Sequence, residues 1–287
     1  MGTTHTFPCG PPTDPTCTSS DAGQPLATSG GCPFAIDREF LREELGFKRI
    51  SENSMDAVSD RDWALDLLFA SARIGVHLSR LAEDLVLFAS REFGFIRLSD
   101  GFSTGSSLMP QKRNPDVAEL VRGQAGRLVG NLTSLLIVLK GLATGFNRDL
   151  QDDKRTLFDS VDTLMIVLPA VEGAVRGAEL QSDRIASVLD PQLLATDLAD
   201  YLVRAGVPFR EAHQVLATVV RTAEERGLAL DELPLDAFQE AHPAFGPDVL
   251  DVFSWERAVE ARQAPGGTAR SAVMDQISRA ARRLGRG

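Results

Sequence analysis

No apolar run in the 287 residues approaches the roughly 18 that would suggest a membrane span, and even TLMIVLPAV is cut by Pro169. The chain does not open on a basic segment followed by an apolar one, so a secretory signal is not expected and a cytoplasmic location is. Positive charge is not in excess. Lys and Arg number 30 against 40 Asp and Glu, a formal net charge of -10, which excludes a global field that would draw in nucleic acid or an anionic membrane. The 3 cysteines, Cys9, Cys17 and Cys32, all fall near the start. Their spacing lacks the short C-x-x-C pairs of zinc modules, so a metal site built from them and His5 is disfavoured, and an odd count argues against a disulfide framework. Strand alternation and a repeat period are also missing.

What is present is helix. Residues 1–33 are rich in Pro, Thr, Ser and Gly, carry only Asp14 and Asp21 as charges, and read as an irregular tail. From Pro33 the texture changes. The stretch from Ser54 to Phe93 reads as one long helical pattern, with Leu67, Ile74, Leu78, Leu81, Leu85 and Phe88 recurring on one face. A second long helix is expected after Asn114, which suits an N-cap, with Pro115 in the first helical position and Asp116 and Glu119 at the positive end of the dipole. It should stop near Gly141. A third pattern starts near Arg148 and runs past Pro169, where a kink is expected. Beyond about residue 190 the helical segments shorten. The fold class is all-α: a central bundle over 34–190, then a small C-terminal helical domain over 191–287.

Between the first two long patterns lies STGSSLMPQKRNPD, residues 103–116, crowded with polar atoms. Gly105 permits unusual backbone angles, and the peptide N–H groups that follow could gather around an anionic oxygen. Ser106 sits beside that point. A serine is a poor base unless its alkoxide is stabilised, and Lys112, Arg113 and the helix N-terminus after Asn114 provide a positive setting. Taken by itself, GSS would also suit a solvated helix connector.

The full string GSSLMPQKRNP resembles the signature loop of the fumarase/aspartase superfamily. Gln111, with DLQDDK and GGTARSAV, resembles the argininosuccinate lyases among them. Related segments run from about Phe34 to Gln276 and include NSMDAVSDRDW, HLSRLAEDL and YLVRAGVPFREAH. The resemblance implies elimination of fumarate from argininosuccinate, leaving arginine, without metal or organic cofactor. It implies Ser106 as the catalytic base, Lys112 and Asn114 at the substrate's carboxylate end, and Phe146, Gln151 and Lys154 at its amino-acid portion. It further implies a homotetramer whose active sites draw segments from several chains.

Two departures accompany it. Phe146 stands where the family has a tyrosine before Asn, so the ring is kept and a hydroxyl donor is lost. The family's N-terminal region, with its Thr-x-His-Leu-Gln segment carrying the general-acid histidine, has no counterpart, so the chain reads as the C-terminal part of such a lyase. His77 in VHLSRL and His213 in EAHQV read as packing or surface residues. A catalytically inactive truncated fragment, a helical assembly protein, or another fumarate-releasing lyase of the same superfamily are the competing readings.

Overall fold

The computed structural model describes residues 35–105 and 113–285, and these divide into two compact units, one ending at Arg184 and the other beginning at Ile185. The expected tail, Ser106 and Lys112 lie outside the described residues. The fold is all-α. Strand among the described residues amounts to two antiparallel two-residue ladders, β1 (Ile96–Arg97) with β4 (Glu179–Leu180) and β2 (Thr104–Gly105) with β3 (Arg113–Asn114).

The first unit is built on α3 (Asp62–Ala89), α4 (Asp116–Leu139) and α5 (Asp153–Arg176), preceded by the short α1 (Arg38–Glu44) and α2 (Ser54–Ser59). Its apolar faces meet in two clusters that set the chain directions. Ala64 and Leu68 from the start of α3 pack on Leu135 from the end of α4 and Leu157 from the start of α5. At the other end, Ala82 of α3 meets Ala118 and Val121 from the start of α4, and Val167 of α5. The three helices therefore alternate in direction, and the bundle has two poles. One carries the starts of α3 and α5; the other carries the start of α4.

The expected continuous helix from Ser54 is broken at Asp60. That residue is extended (φ -62, ψ 134), and its Oδ1 accepts from the Asp62 N–H at 2.8 Å, a local turn after which α3 starts afresh with Arg61 at its N-cap. Asn114 is not the N-cap of α4. It pairs with Thr104 across the β2–β3 ladder, and Pro115 takes the cap position without a side-chain hydrogen bond. The third pattern opens as a 3-10 turn, Arg148–Asp152, before α5, which continues unbroken through Pro169. Among the described residues no helix is long and apolar enough to cross a membrane.

The second unit holds α7 (Ala195–Arg204), α8 (Phe209–Arg226), α9 (Leu235–Ala241), α10 (Trp255–Glu260) and α11 (Arg270–Arg283), with α6 (Ser182–Ser187) at the division. Leu198, Leu202, Val219, Phe238, Phe245 and Val249 form its core. Asp197, buried at the start of α7, receives both Arg262 guanidinium nitrogens at 3.0 Å each, the fork geometry that compensates a carboxylate removed from water. The Tyr201 hydroxyl donates to Asp248 Oδ1 at 2.7 Å and accepts from the Gly246 N–H at 3.0 Å. Burial first, then the Asp248 carboxylate, push that phenol above its ordinary value.

Candidate active site

The stretch that drew attention in the sequence is rooted at the pole where α4 begins. Thr104 faces Asn114 and Gly105 faces Arg113 across the ladder, so the two ends of segment 106–112 are held side by side. The ladder is tied on both flanks: the Thr104 hydroxyl donates to Asp116, and Arg113 pairs with Asp100. Beneath it, the Phe102 ring lies so close to α5 that a Cβ built on Gly173 would sit 2.1 Å from Phe102 Cζ. One turn later, a Cβ on Gly177 would meet Ser99 Oγ at 2.7 Å. No side chain fits at Gly173 against the ring, which is why α5 carries a glycine its helical propensity disfavours, and Gly177 closes the helix as its C-cap. A recess of about 90 Å³ opens beside the ladder, lined by Ala89, Leu98, Ser103, Arg113, Asn114 and Pro115 among others. Asn114 is half-buried there, with Arg97 and Arg113 as the positive groups.

The remaining candidates gather at the opposite pole. Phe146 follows Gly145, which is buried with φ at 91°, and is itself 52% exposed. Gln151 lies in the 3-10 turn and Lys154 in the first turn of α5, both exposed. Leu150, 1% exposed, fastens the turn between them and Phe146. The two sets do not meet within one chain. Asn114 precedes the 24 residues of α4, whose far end packs on the turn carrying Gln151. At about 1.5 Å per residue, 24 residues separate the poles by roughly 36 Å.

At this second pole two further residues, Asp153 and Arg61, were passed over in the sequence. Asp153, 4% exposed, has its Oδ2 at 2.6 Å from Arg61 Nε and its Oδ1 at 3.0 Å from Lys154 Nζ. Burial pushes this carboxyl up, but the hydrogen bonds from Lys154 and Arg61, with their charges, outweigh it and hold it below its ordinary value. The signal was available: Asp153, Leu157 and Ser160 fall at spacings of four and three on the buried face of α5, an unusual place for an acid. A second network ties mid-bundle. Arg127 forks onto Asp159, Nε to Oδ2 at 2.8 Å, and Asn131 donates to Asp159 Oδ2 at 2.7 Å and to Ser160 Oγ at 2.9 Å. The Arg127 bond, then Asn131, keep the Asp159 carboxyl low. His77 in α3 and His213 in α8 are exposed, and no cluster able to hold a metal occurs among the described residues.

Set against known proteins, the family described as Lyase matches residues 21–130, and the one described as Argininosuccinate lyase C-terminal matches 192–260. A Roseiflexus (strain RS-1) protein named argininosuccinate lyase is 53% identical over 268 residues, 93% of this chain and 59% of the relative. This chain is a homologue of the argininosuccinate lyases. It spans about three fifths of the length of these relatives. Similarity to the argininosuccinate lyase of Schizosaccharomyces pombe is 50% over 247 residues, 86% of this chain and 54% of that protein. Among solved structures, an EDDS lyase variant with bound fumarate superposes with a TM-score of 0.76 at 29% identity, covering 90% of this chain and 54% of that one. A class II fumarase from Schistosoma mansoni, at 21% identity and a TM-score of 0.56 over 69% of this chain and 43% of that one, shares the helical fold.

Proposed function

We propose that this chain performs the argininosuccinate lyase reaction within an assembly, each site combining the loop pole of one copy with the Lys154 pole of another. The observation that carries this is the separation of the two groups of site residues by the length of α4. A second supports it: Leu120, Ile137, Phe158, Met165 and Ile166 of α4 and α5 are each more than 60% exposed, more apolar surface than long helices leave to water unless other helices cover it. A cytoplasmic homotetramer suits both.

In the reaction, the proton leaves the carbon beside a substrate carboxylate, the bond from the neighbouring carbon to the guanidinium nitrogen breaks, and the electron pair becomes the double bond of fumarate. The nitrogen departs with arginine after gaining a proton. Such a carbon acid is weak, so the intermediate with two negative charges on one carboxylate must be stabilised. Ser106 removes the proton, while Lys112 and Asn114 hold that carboxylate in the positive setting of the α4 N-terminus. Gln151 and Lys154 hold the arginine portion, with Phe146 beside them.

The test is fumarate release from argininosuccinate, followed by ultraviolet absorbance. It is made on the purified chain and on its mixed assembly with a full-length argininosuccinate lyase whose own loop serine is replaced. The mixed assembly is expected to release fumarate although that partner alone does not. Mixed oligomers that form and stay inert would favour an assembly protein without catalysis. Phe146→Tyr is expected to lower KM a few-fold by restoring a hydroxyl donor; an unchanged or raised KM would show a pocket fitted to phenylalanine.

A further inference from the structure

We propose that Asp153 is a positioning residue for the Lys154 ammonium, locked in place by Arg61; the proposal rests on the substrate role given to Lys154 above. A carboxylate that is 4% exposed is tolerated only when compensated, and here each oxygen has its own cation. Arg61 is held rigidly in turn. Its side chain is 15% exposed, and while Nε grips Asp153 its Nη1 donates to the Asp60 carbonyl at 2.7 Å and to that of Val58 at 3.4 Å. The start of α3 thereby fixes where the Asp153 carboxylate stands. The Lys154 side chain is 61% exposed, yet its ammonium lies 3.0 Å from Asp153 Oδ1.

That contact occupies one of the three ammonium N–H donors and leaves two for an incoming carboxylate. A lysine stem is flexible, and a tether that orders it before binding removes an entropic cost otherwise met when substrate arrives. Because Arg61 already neutralises the Asp153 carboxylate, the tether orders Lys154 without cancelling the charge it offers to the substrate's amino-acid carboxylate. Positioning and charge balance are thus supplied by the same pair.

The proposal is tested by Asp153→Asn in the full chain, which keeps the shape, removes the charge and leaves one acceptor oxygen where there were two. The protein has only four lysines, and carbon-13 relaxation of labelled lysine Cε resolves Lys154 against the exposed Lys48 and Lys140 without any ligand. Lys154 Cε is expected to be ordered in the wild type and to become as mobile as Lys140 in the variant. By titration calorimetry, arginine affinity should fall about tenfold, some 1.4 kcal/mol, with fumarate affinity unchanged. Equal ordering of Lys154 in both proteins, or equal weakening of arginine and fumarate, overturns the proposal. A wild-type chain that binds no arginine overturns instead the site reading on which it rests, and is recognised before any variant is compared. If Asp153→Asn does not fold by circular dichroism, Asp153→Glu keeps the charge but moves it by a methylene. The same selective loss of arginine is then expected, and arginine binding as tight as wild type overturns the proposal.

Discussion

Ser106→Ala in the mixed assembly is expected to lower fumarate release by roughly 100-fold to 10,000-fold, the range for a lost acid-base group, with oligomers and helix content unchanged. The assembly makes the measurement clean, because the partner's own loop serine is gone and Ser106 is the only one left to act. The loss should fall on kcat and on kcat/KM together, since a base contributes only as the proton moves. Folding should be spared because the root of the segment is held elsewhere, by the Thr104–Asp116 bond, the Arg113–Asp100 pair and the Phe102 ring on α5. Fumarate release within a few-fold of the unsubstituted assembly would remove Ser106 from the chemistry.

Arg61→Met should destabilise the first unit by about 3 kcal/mol at neutral pH, the lower end for breaking a buried ion pair, because Lys154 still faces the stranded carboxylate. Trp63 reports on this unit and Trp255 on the other, so urea unfolding followed by fluorescence should show the shift in the first transition alone. The pH dependence has a definite sign. Asp153 titrates below its ordinary value in the folded chain, so its contribution is complete above the unfolded carboxylate pKa of about 3.9 and is lost as pH falls through the folded value. The gap between wild type and variant should therefore be full at pH 7 and narrow below about pH 4. Unchanged unfolding at neutral pH would mean that the pair contributes nothing net.

The long helices were legible because their apolar residues repeat with the helical period, but the buried face of α3 was misplaced: Leu67, Ile74, Leu81 and Phe88 are exposed, and Leu68 with the smaller Ala64, Ser71, Ala72, Gly75 and Ala82 turns inward because close helix packing favours small residues. Leu68, Leu128, Leu135 and Leu157 were bound to be core in almost any helical packing. The break at Asp60 was harder to see, since no glycine or proline marks it; what makes it is a single carboxylate turning on its own backbone. Asn114 failed in the opposite sense. Its local context, Asn-Pro-Asp, is a good helix start, but pairing with Thr104 took the residue into a ladder that no neighbouring residue announces. Local chemistry pointed to Ser106 and Lys112 in the loop, whereas Phe146, Gln151 and Lys154 entered as candidates only through the family resemblance. Asp153 and Arg61 are far apart in sequence, and their meeting follows from the antiparallel course of the bundle, which periodicity alone does not give.

The glycine notch at the end of α5, Gly173 and the C-cap Gly177, also ties geometry at the loop pole to the winding of the whole bundle. Gly173 and Gly177 must point at Phe102 and Ser99, and a slip of α5 by one residue would turn them away by about 100° and bring side chains against the ring. A misthreaded bundle could still bury leucines, since several positions along each helix would serve, but it could not seat the root of segment 106–112. The notch thus fixes the register of α5 against the turn at Ser99–Phe102, and with it where the β2–β3 ladder stands on the bundle.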